Sequence, residues 1–145
     1  MTTNTTALET LVDTMTDSVR GYEQSAEAAN SPELKRILTE QAQKRQRSLD
    51  TLSAEMRRLG GELATRGTVA GKLHHMWIDV TAMFRDGDKA AVARVEEGED
   101  YLASKFEAAL ESTDLDPQTR AAIQQVYAEV KEGERIGDML EQQFG

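Results

Sequence analysis

The stretch GGELATRGTVAGKLHHMWIDVTAMFRDG, residues 60–87, decides the fold, because it separates two pairs of amphipathic helices. Glycines punctuate it, and between them apolar residues recur at the spacing of one short helix. The side chains predicted to pack this crossover segment against the rest of the chain are Leu73, Met76, Trp77, Val80 and Phe84. A connection this long can run the length of a helical bundle, which makes the second and third long helices parallel.

The first pair of long helices precedes that segment. Thr6 and Glu9 form a capping box, which predicts the start of the first helix, and Ser31 followed by Pro32 predicts the start of the second. Gly60 and Gly61 end the second helix. The apolar stripes are Leu8, Leu11, Met15, Val19, Tyr22, Ala26 and Ala29 on the first helix and Leu34, Leu38, Leu49, Leu52, Met56 and Leu59 on the second.

The second pair of helices follows the segment. The third begins near Asp88, and the fourth begins at Asp116 and Pro117 by the same cap-and-proline device. Their stripes are Val92, Val95, Glu99, Leu102, Phe106 and Leu110, and Ile123, Val126, Val130, Gly133, Gly137, Leu140 and Phe144. The sequence therefore predicts an all-α fold: one domain over residues 1–145, with four long helices and a crossover over about 60–87 that holds a short fifth helix.

Composition excludes several classes of function. The 145 residues carry a net charge of -9, which disfavours nucleic acid as a partner. There is no cysteine, so thiolate chemistry and cysteine-ligated metals are excluded. The N-terminus lacks the basic and apolar regions of a secretory signal, and no stretch approaches the ~20 apolar residues of a membrane span. We therefore expect a cytoplasmic protein that does not associate with membranes.

Several short motifs stand out along the chain. They are Arg57–Glu62 at the end of the second helix, Gly67–His74 with Trp77–Asp79 in the crossover, Gly87–Asp88, Glu97–Asp100 and Tyr127–Lys131. Together they resemble a bacterial family of ferritin-like four-helix-bundle proteins of unknown function. The resemblance spans residues 8–136 and implies a ferritin-like fold, a bacterial cytoplasmic setting and a link to stress response. It also implies an acidic residue at the position of Val19 and a histidine near Glu134, and this chain departs at both positions.

A carboxylate-bridged di-metal site is the sharpest chemical hypothesis for such a fold. It requires a glutamate from each of two helices and a Glu-x-x-His motif from each of the other two. The chain contains no Glu-x-x-His, and its two histidines, His74 and His75, are adjacent in the crossover. No metal is therefore predicted. The alternative is an iron or manganese site built only from carboxylates, with Glu23, Glu99, Glu129 and Glu134 as its ligands.

Polar residues interrupt the apolar stripes halfway along the helices. Gln41, Arg45 and Ser48 do so on the second helix, Glu99 on the third, and Glu134 beside Gly133 on the fourth. We expect these side chains to form a buried polar layer in which Arg45 pairs with Glu99, and Glu134 is a further candidate partner. An unpaired buried charge would cost several kcal/mol.

Taken together, these features favour a structural or interaction protein without enzymatic activity or cofactor. A homo-oligomer is expected, since the amphipathic crossover and the glycine-bearing fourth helix offer faces for self-association. Gly133 and Gly137 make room for a bulky neighbour, such as Trp77 or Phe106, or for a second subunit. The protein partner is unknown. Two alternatives stay open: a di-metal oxidoreductase or iron-handling protein, and a binder of small ligands in a pocket near Trp77.

Overall fold

The computed structural model describes residues 3–60 and 87–145, which form four α-helices and no strand. In chain order they are α1 (Thr3–Ala28), α2 (Pro32–Arg58), α3 (Gly87–Leu110) and α4 (Pro117–Phe144). None of these helices is apolar over a length that would cross a membrane. The all-helical prediction is confirmed for this part of the chain. The predicted fifth helix, with Leu73, Met76, Trp77, Val80 and Phe84, lies outside the described residues.

Local capping fixes the starts of α2 and α4 where the sequence predicted them. The Ser31 side chain accepts a hydrogen bond from the Leu34 amide at 3.4 Å, and Asp116 accepts one from the Thr119 amide at 2.8 Å. Each cap precedes a proline in the first turn, where the missing N–H costs nothing. After α2, Gly60 takes the left-handed conformation with φ 78°, which only glycine adopts without strain.

The predicted start of α1 at Thr6 is wrong, because the helix begins at Thr3. A tertiary contact accounts for the extra turn. The side-chain oxygen of Asn4 accepts a hydrogen bond from the Asp116 amide at 2.9 Å, and its amide nitrogen donates to the Asp116 carboxylate at 3.4 Å. The start of α1 is thereby tied to the start of α4, a contact that no local sequence pattern contains.

The four helices pack in a ring. α1 lies beside α2 and α3, and α4 lies beside α3 and α2, so that α2 and α3 face each other across the diagonal. At one end, the Asp88 carboxylate at the start of α3 accepts hydrogen bonds from the amides of Asn30 (2.6 Å) and Ser31 (3.1 Å). At the other, Arg58 at the end of α2 lies 3.6 Å from Asp116. Helices α2 and α3 therefore run in the same direction, and residues 60 and 87 lie at opposite ends.

Two apolar clusters fill the interior. The first contains Leu8, Leu11, Val12, Met15, Leu52, Met56, Leu102, Ala103, Phe106, Leu115, Ile123, Val126 and Val130, all buried. The second contains Tyr22, Ala26, Ala29, Leu34, Leu38, Ala42, Ala91, Val92, Val95 and Leu140. Nearly all predicted stripe positions are buried; Leu49, Leu59, Leu110 and Phe144 at the helix margins are half-buried. Since the clusters occupy opposite halves of the helices, what lies between them is the middle of the bundle.

Asp88 accepts hydrogen bonds from the turn between α1 and α2, although it is distant in sequence, so Asp88→Ala is expected to destabilise the fold. Removing the carboxylate leaves the amides of Asn30 and Ser31 without this acceptor, and we expect the free energy of unfolding to fall by about 1 kcal/mol. Asp88→Asn keeps one acceptor oxygen and should recover most of the loss. Urea unfolding followed by circular dichroism measures both. The neighbouring exposed Lys89→Ala is the control, and an equal loss there would contradict the assignment.

Candidate functional site

A buried ion pair lies between the two apolar clusters. The Arg45 guanidinium on α2 donates two hydrogen bonds to the Glu99 carboxylate on α3, from Nη1 to Oε1 and from Nη2 to Oε2, each 2.6 Å long. Arg45 is 3% exposed and Glu99 is 1% exposed. The arrangement is the bidentate geometry that a planar guanidinium and a carboxylate favour, and it crosses the diagonal of the bundle.

Helix α1 completes the surroundings of the guanidinium. Ser18 accepts a further hydrogen bond from Arg45 Nη1 at 2.8 Å, and the Arg45 Cζ atom lies 5.4 Å from the centre of the Tyr22 ring. Burial alone would lower the pKa of Arg45, but the adjacent Glu99 charge raises it above its ordinary value. Burial, together with the Glu99 charge, raises the pKa of the Tyr22 hydroxyl well above its ordinary value. Arg45 therefore stays charged and Tyr22 stays neutral.

Helix α4 places a glycine, Gly133, beside the ion pair, where no side chain would fit. A Cβ atom at Gly133 would lie 2.5 Å from Nη2 of Arg45 and closer still to Oε2 of Glu99. At Gly137 a Cβ atom would meet Val95 at 3.7 Å, which is an ordinary contact. The expectation that the glycines accommodate Phe106 is wrong for Gly133, where the neighbour is the ion pair; Trp77 lies outside the described residues.

The structure brings together only some of the residues predicted for the polar layer. Gln41 and Ser48 are buried on the same side of α2 as Arg45, and Ser48 donates a hydrogen bond to Glu129 at 2.7 Å. Glu134 does not join the pair: it is 20% exposed and forms an ion pair with Lys131 at 2.9 Å. Because Glu134 follows Gly133 by one residue, it is rotated about 100° around α4, away from the guanidinium.

Sequence reasoning missed the two α1 residues of the site, Ser18 and Tyr22. Tyr22 had been assigned to the apolar stripe, which is where its ring lies, but nothing in the stripe indicates that this ring would face a guanidinium. Ser18 carries no signal at all, since a serine beside a stripe is ordinary. Placing it requires knowing which helices become neighbours.

The four glutamates of the all-carboxylate alternative do not converge. Glu23 is exposed at a groove between α1 and α2, Glu99 is bound by Arg45, Glu129 is bound by Ser48, and Glu134 is paired with Lys131. Within residues 3–60 and 87–145, no group of three or more histidine, aspartate or glutamate side chains has an arrangement that could hold a metal ion. His74 and His75 lie outside those ranges.

Comparison with protein-family models gives one match, over residues 3–112, to a domain of unknown function, DUF2383. The chain belongs to the DUF2383 family. No curated protein and no solved structure matches it. The matched residues include Arg45, Glu99, Ser18 and Tyr22, whereas Gly133 and the rest of α4 lie beyond them. Three of the four helices around the ion pair therefore lie within the matched residues.

An acidic strip runs along the outside of this DUF2383 chain, between α3 and α4. It consists of Glu96, Asp100, Glu134, Asp138 and Glu141. Hydrogen bonding to Asp138, with burial and the further carboxylate Glu141, raises the pKa of Glu96 to about 8. Hydrogen bonding to Glu134, with burial, raises the pKa of Asp100 to about 6. Two carboxyl groups can hydrogen-bond only when they share a proton, so the strip favours partial protonation.

Two further carboxylates are buried on α1, one turn apart. Asp13 and Asp17 are each 3% exposed. Burial raises the pKa of Asp13, and it raises the pKa of Asp17 to about 6, although the Arg20 guanidinium, 3.8 Å away, opposes the shift. Neither was predicted from the sequence, because both lie on the side of the helix opposite its apolar stripe.

Gly133 and Gly137 are both buried on α4, but only Gly133 touches the ion pair. We therefore expect Gly133→Ala and Gly137→Ala to have opposite effects on stability. Alanine gains about 1 kcal/mol of helix propensity at either position. At Gly137 the new methyl group fits, so thermal unfolding should shift upward. At Gly133 it must displace the ion pair, and overpacking of about 1–3 kcal/mol should outweigh the gain. Equal stabilisation of both variants, measured by calorimetry, would mean that Gly133 does not contact the pair.

The acidic strip predicts that stability falls as the pH rises. A carboxyl group whose pKa is higher in the folded chain than in the unfolded chain stabilises the fold at any pH below its pKa in the unfolded chain. This stabilisation is lost as the pH rises through the pKa of the group in the folded chain. For Glu96 and Asp100 the window runs from about pH 4 to about pH 8. Glu96→Gln should therefore raise the melting temperature relative to the parent at pH 9 and have little effect at pH 4.

The control for this measurement is Glu111→Gln, an exposed carboxylate at the end of α3 without a side-chain partner among the described residues. It should not change the slope of melting temperature against pH. If Glu96→Gln and Glu111→Gln give the same pH profile, the proton sharing assigned to the strip is wrong.

Proposed function

We propose that this chain is a ferritin-like helical bundle without enzymatic activity, which acts as a structural or interaction protein. In this proposal the interior position that a metal would occupy in a di-metal bundle is held by a side-chain cation. The observation that carries it is the bidentate contact of Arg45 with Glu99 at the middle of the bundle.

The chemistry of Glu99 supports this role. In di-metal bundles, inward carboxylates from facing helices neutralise the metal charge. Here both oxygens of Glu99, the most deeply buried carboxylate in the part of the chain that the structure describes, are already engaged by a permanently charged guanidinium. A cation entering beside Glu99 would have to displace Arg45, which would then be a buried charge without its counter-ion, at a cost of several kcal/mol.

The pair also supports a role in fixing the arrangement of the helices. It joins α2 and α3, which are not adjacent in the ring, and it tolerates only glycine at one position of α4. A slip of either helix by one turn, about 5.4 Å, would leave both charges buried and unpaired. The pair therefore discourages alternative packings of four similar amphipathic helices.

The carboxylate-only metal protein is the weaker alternative. Its four ligands diverge, and one of them, Glu99, has a cation already bound. The remaining glutamates have other partners or face solvent, and the chain supplies no Glu-x-x-His motif.

The stress link and the bacterial cytoplasmic setting are part of the proposal and follow from the family resemblance. Self-association is a further part of it, based on the amphipathic crossover and on the glycines of the fourth helix. The argument for an oligomer from the glycines of α4 is weakened, because Gly133 and Gly137 are buried against α2 and α3 rather than exposed. Among the described residues, the large apolar side chain most open to a partner is Met139, which is 47% exposed.

A double-mutant cycle tests the proposed role of the pair. Arg45→Met should lower the free energy of unfolding by about 3–5 kcal/mol, because Glu99 is short and central and cannot reach water. Glu99→Leu should lower the free energy of unfolding by less, because Arg45 lines a cavity and the long Arg45 side chain can reach solvent through it. The double variant should be within about 1–2 kcal/mol of the parent. The exposed pair Arg94–Glu97 is the control, with an expected coupling below about 1 kcal/mol.

Metal analysis completes the test. The parent chain, expressed with added iron and manganese, should contain no stoichiometric metal. Additive effects in the cycle would eliminate the structural role of the pair. About two tightly bound metal ions per chain, lost in Glu99→Leu, would instead establish the di-metal alternative.

A further inference from the structure

We propose that the cavity between α2 and α4 binds a small zwitterionic molecule of the amino-acid type. The cavity is open to solvent on one side and has a volume of about 430 Å³, which is within the range of sites for small molecules. It lies over the least extensive of the four helix contacts in the ring. This site goes beyond the structural role proposed above, and it is distinct from the pocket expected near Trp77.

The charges of the cavity are segregated onto its two walls. The α2 wall carries Lys44, Arg45 and Arg47, and the α4 wall carries Glu129 and Glu132. No ion pair among the described residues joins the two walls: Arg45 binds Glu99 and Glu132 binds Arg135. A ligand that presents a carboxylate to one wall and an ammonium group to the other would complement both.

Donors on the α2 wall point to a ligand with an oxygen acceptor. Gln41 is 6% exposed and lines the cavity, and its amide has no hydrogen-bond partner among the described residues. The polar atoms of Gln41 are not among the fully buried ones that lack a partner, so they open onto the cavity. Lys44 follows three residues later on the same wall and forms no ion pair among the described residues. In the proposed complex the Gln41 amide and the Lys44 ammonium group donate to one ligand carboxylate.

Gly133 keeps the α4 wall open beside Arg45. A side chain at that position would collide with Nη2 of Arg45, whereas glycine leaves the guanidinium edge at the cavity wall. Past Arg45, Glu129 is held by the Ser48 hydroxyl at 2.7 Å and retains acceptor capacity for an ammonium group. Donors and acceptor thus follow one another along the cavity.

Net charge favours a zwitterion over a simple anion. The lining side chains carry three positive and two negative charges; Glu99 pairs with one of the positive ones, and Arg135 pairs with one of the negative ones. That leaves Lys44 and Arg47 on one wall and Glu129 on the other, so the cavity offers both signs of charge. The chain has a net charge of -9, which repels free anions. A net-neutral molecule is not repelled in this way and still complements both walls.

The test follows the side-chain amide resonances of Gln41 by NMR while the full chain is titrated with L-serine. We expect a saturable shift. Ethanolamine, which lacks the carboxylate, and 3-hydroxypropionate, which lacks the ammonium group, should each bind at least about tenfold more weakly, since each loses a charge-assisted hydrogen bond. L-Alanine and L-glutamine extend the series to other side chains.

Variants locate the site. Glu129→Gln preserves the size of the side chain and should weaken L-serine binding at least about tenfold, and Gln41→Ala should do the same when binding is followed by calorimetry. Gln43→Ala is the matched control, because Gln43 is exposed on the same helix and lines the groove on the other side. It should bind as the parent does.

Three outcomes would overturn the proposal: no saturable shift with any of the amino acids, equal binding of either truncated analogue, or an equal loss in Gln43→Ala. All measurements keep Arg45 and Glu99 intact. A failure here would therefore leave the structural role of the pair untouched, and a failed double-mutant cycle would not by itself remove the cavity.

Discussion

Arg45 and Glu99 form a buried ion pair that dictates which side chains can surround it at the middle of the bundle. Two full charges lie where apolar side chains would be expected, and they are tolerated because each satisfies the other in bidentate geometry. The neighbours follow from it: a hydroxyl from Ser18, an aromatic face from Tyr22, and no side chain at Gly133. All four helices thus contribute to one small volume.

That volume divides the interior into two apolar clusters rather than one continuous core. Either cluster could pack in several registers, because leucine, valine and alanine stripes on four helices are nearly interchangeable. A buried ion pair is not interchangeable, since a shifted register leaves it unpaired. Its contribution is therefore to specificity of packing more than to net stability, and it acts between α2 and α3, the two helices that run in the same direction.

The level of the ion pair is also where the cavity between α2 and α4 lies. The seam between α2 and α4 is wide enough for a cavity, and Arg45 belongs both to the interior pair and to the cavity wall. The match to DUF2383 covers the pair and the α2 wall of the cavity, whereas the α4 wall lies outside the matched residues.

Features that depend only on neighbours within one helix could be predicted from the residues alone. They are the caps at Ser31 and Asp116, the apolar periodicity, and the level at which polar residues interrupt it. From that level the pairing of Arg45 with Glu99 could be expected. The early start of α1, the role of Asp88, the position of Glu134 and the partners Ser18 and Tyr22 were decided only by the tertiary structure. Each of these depends on which helix faces rotate toward one another, and a helical period fixes a face without specifying its neighbour.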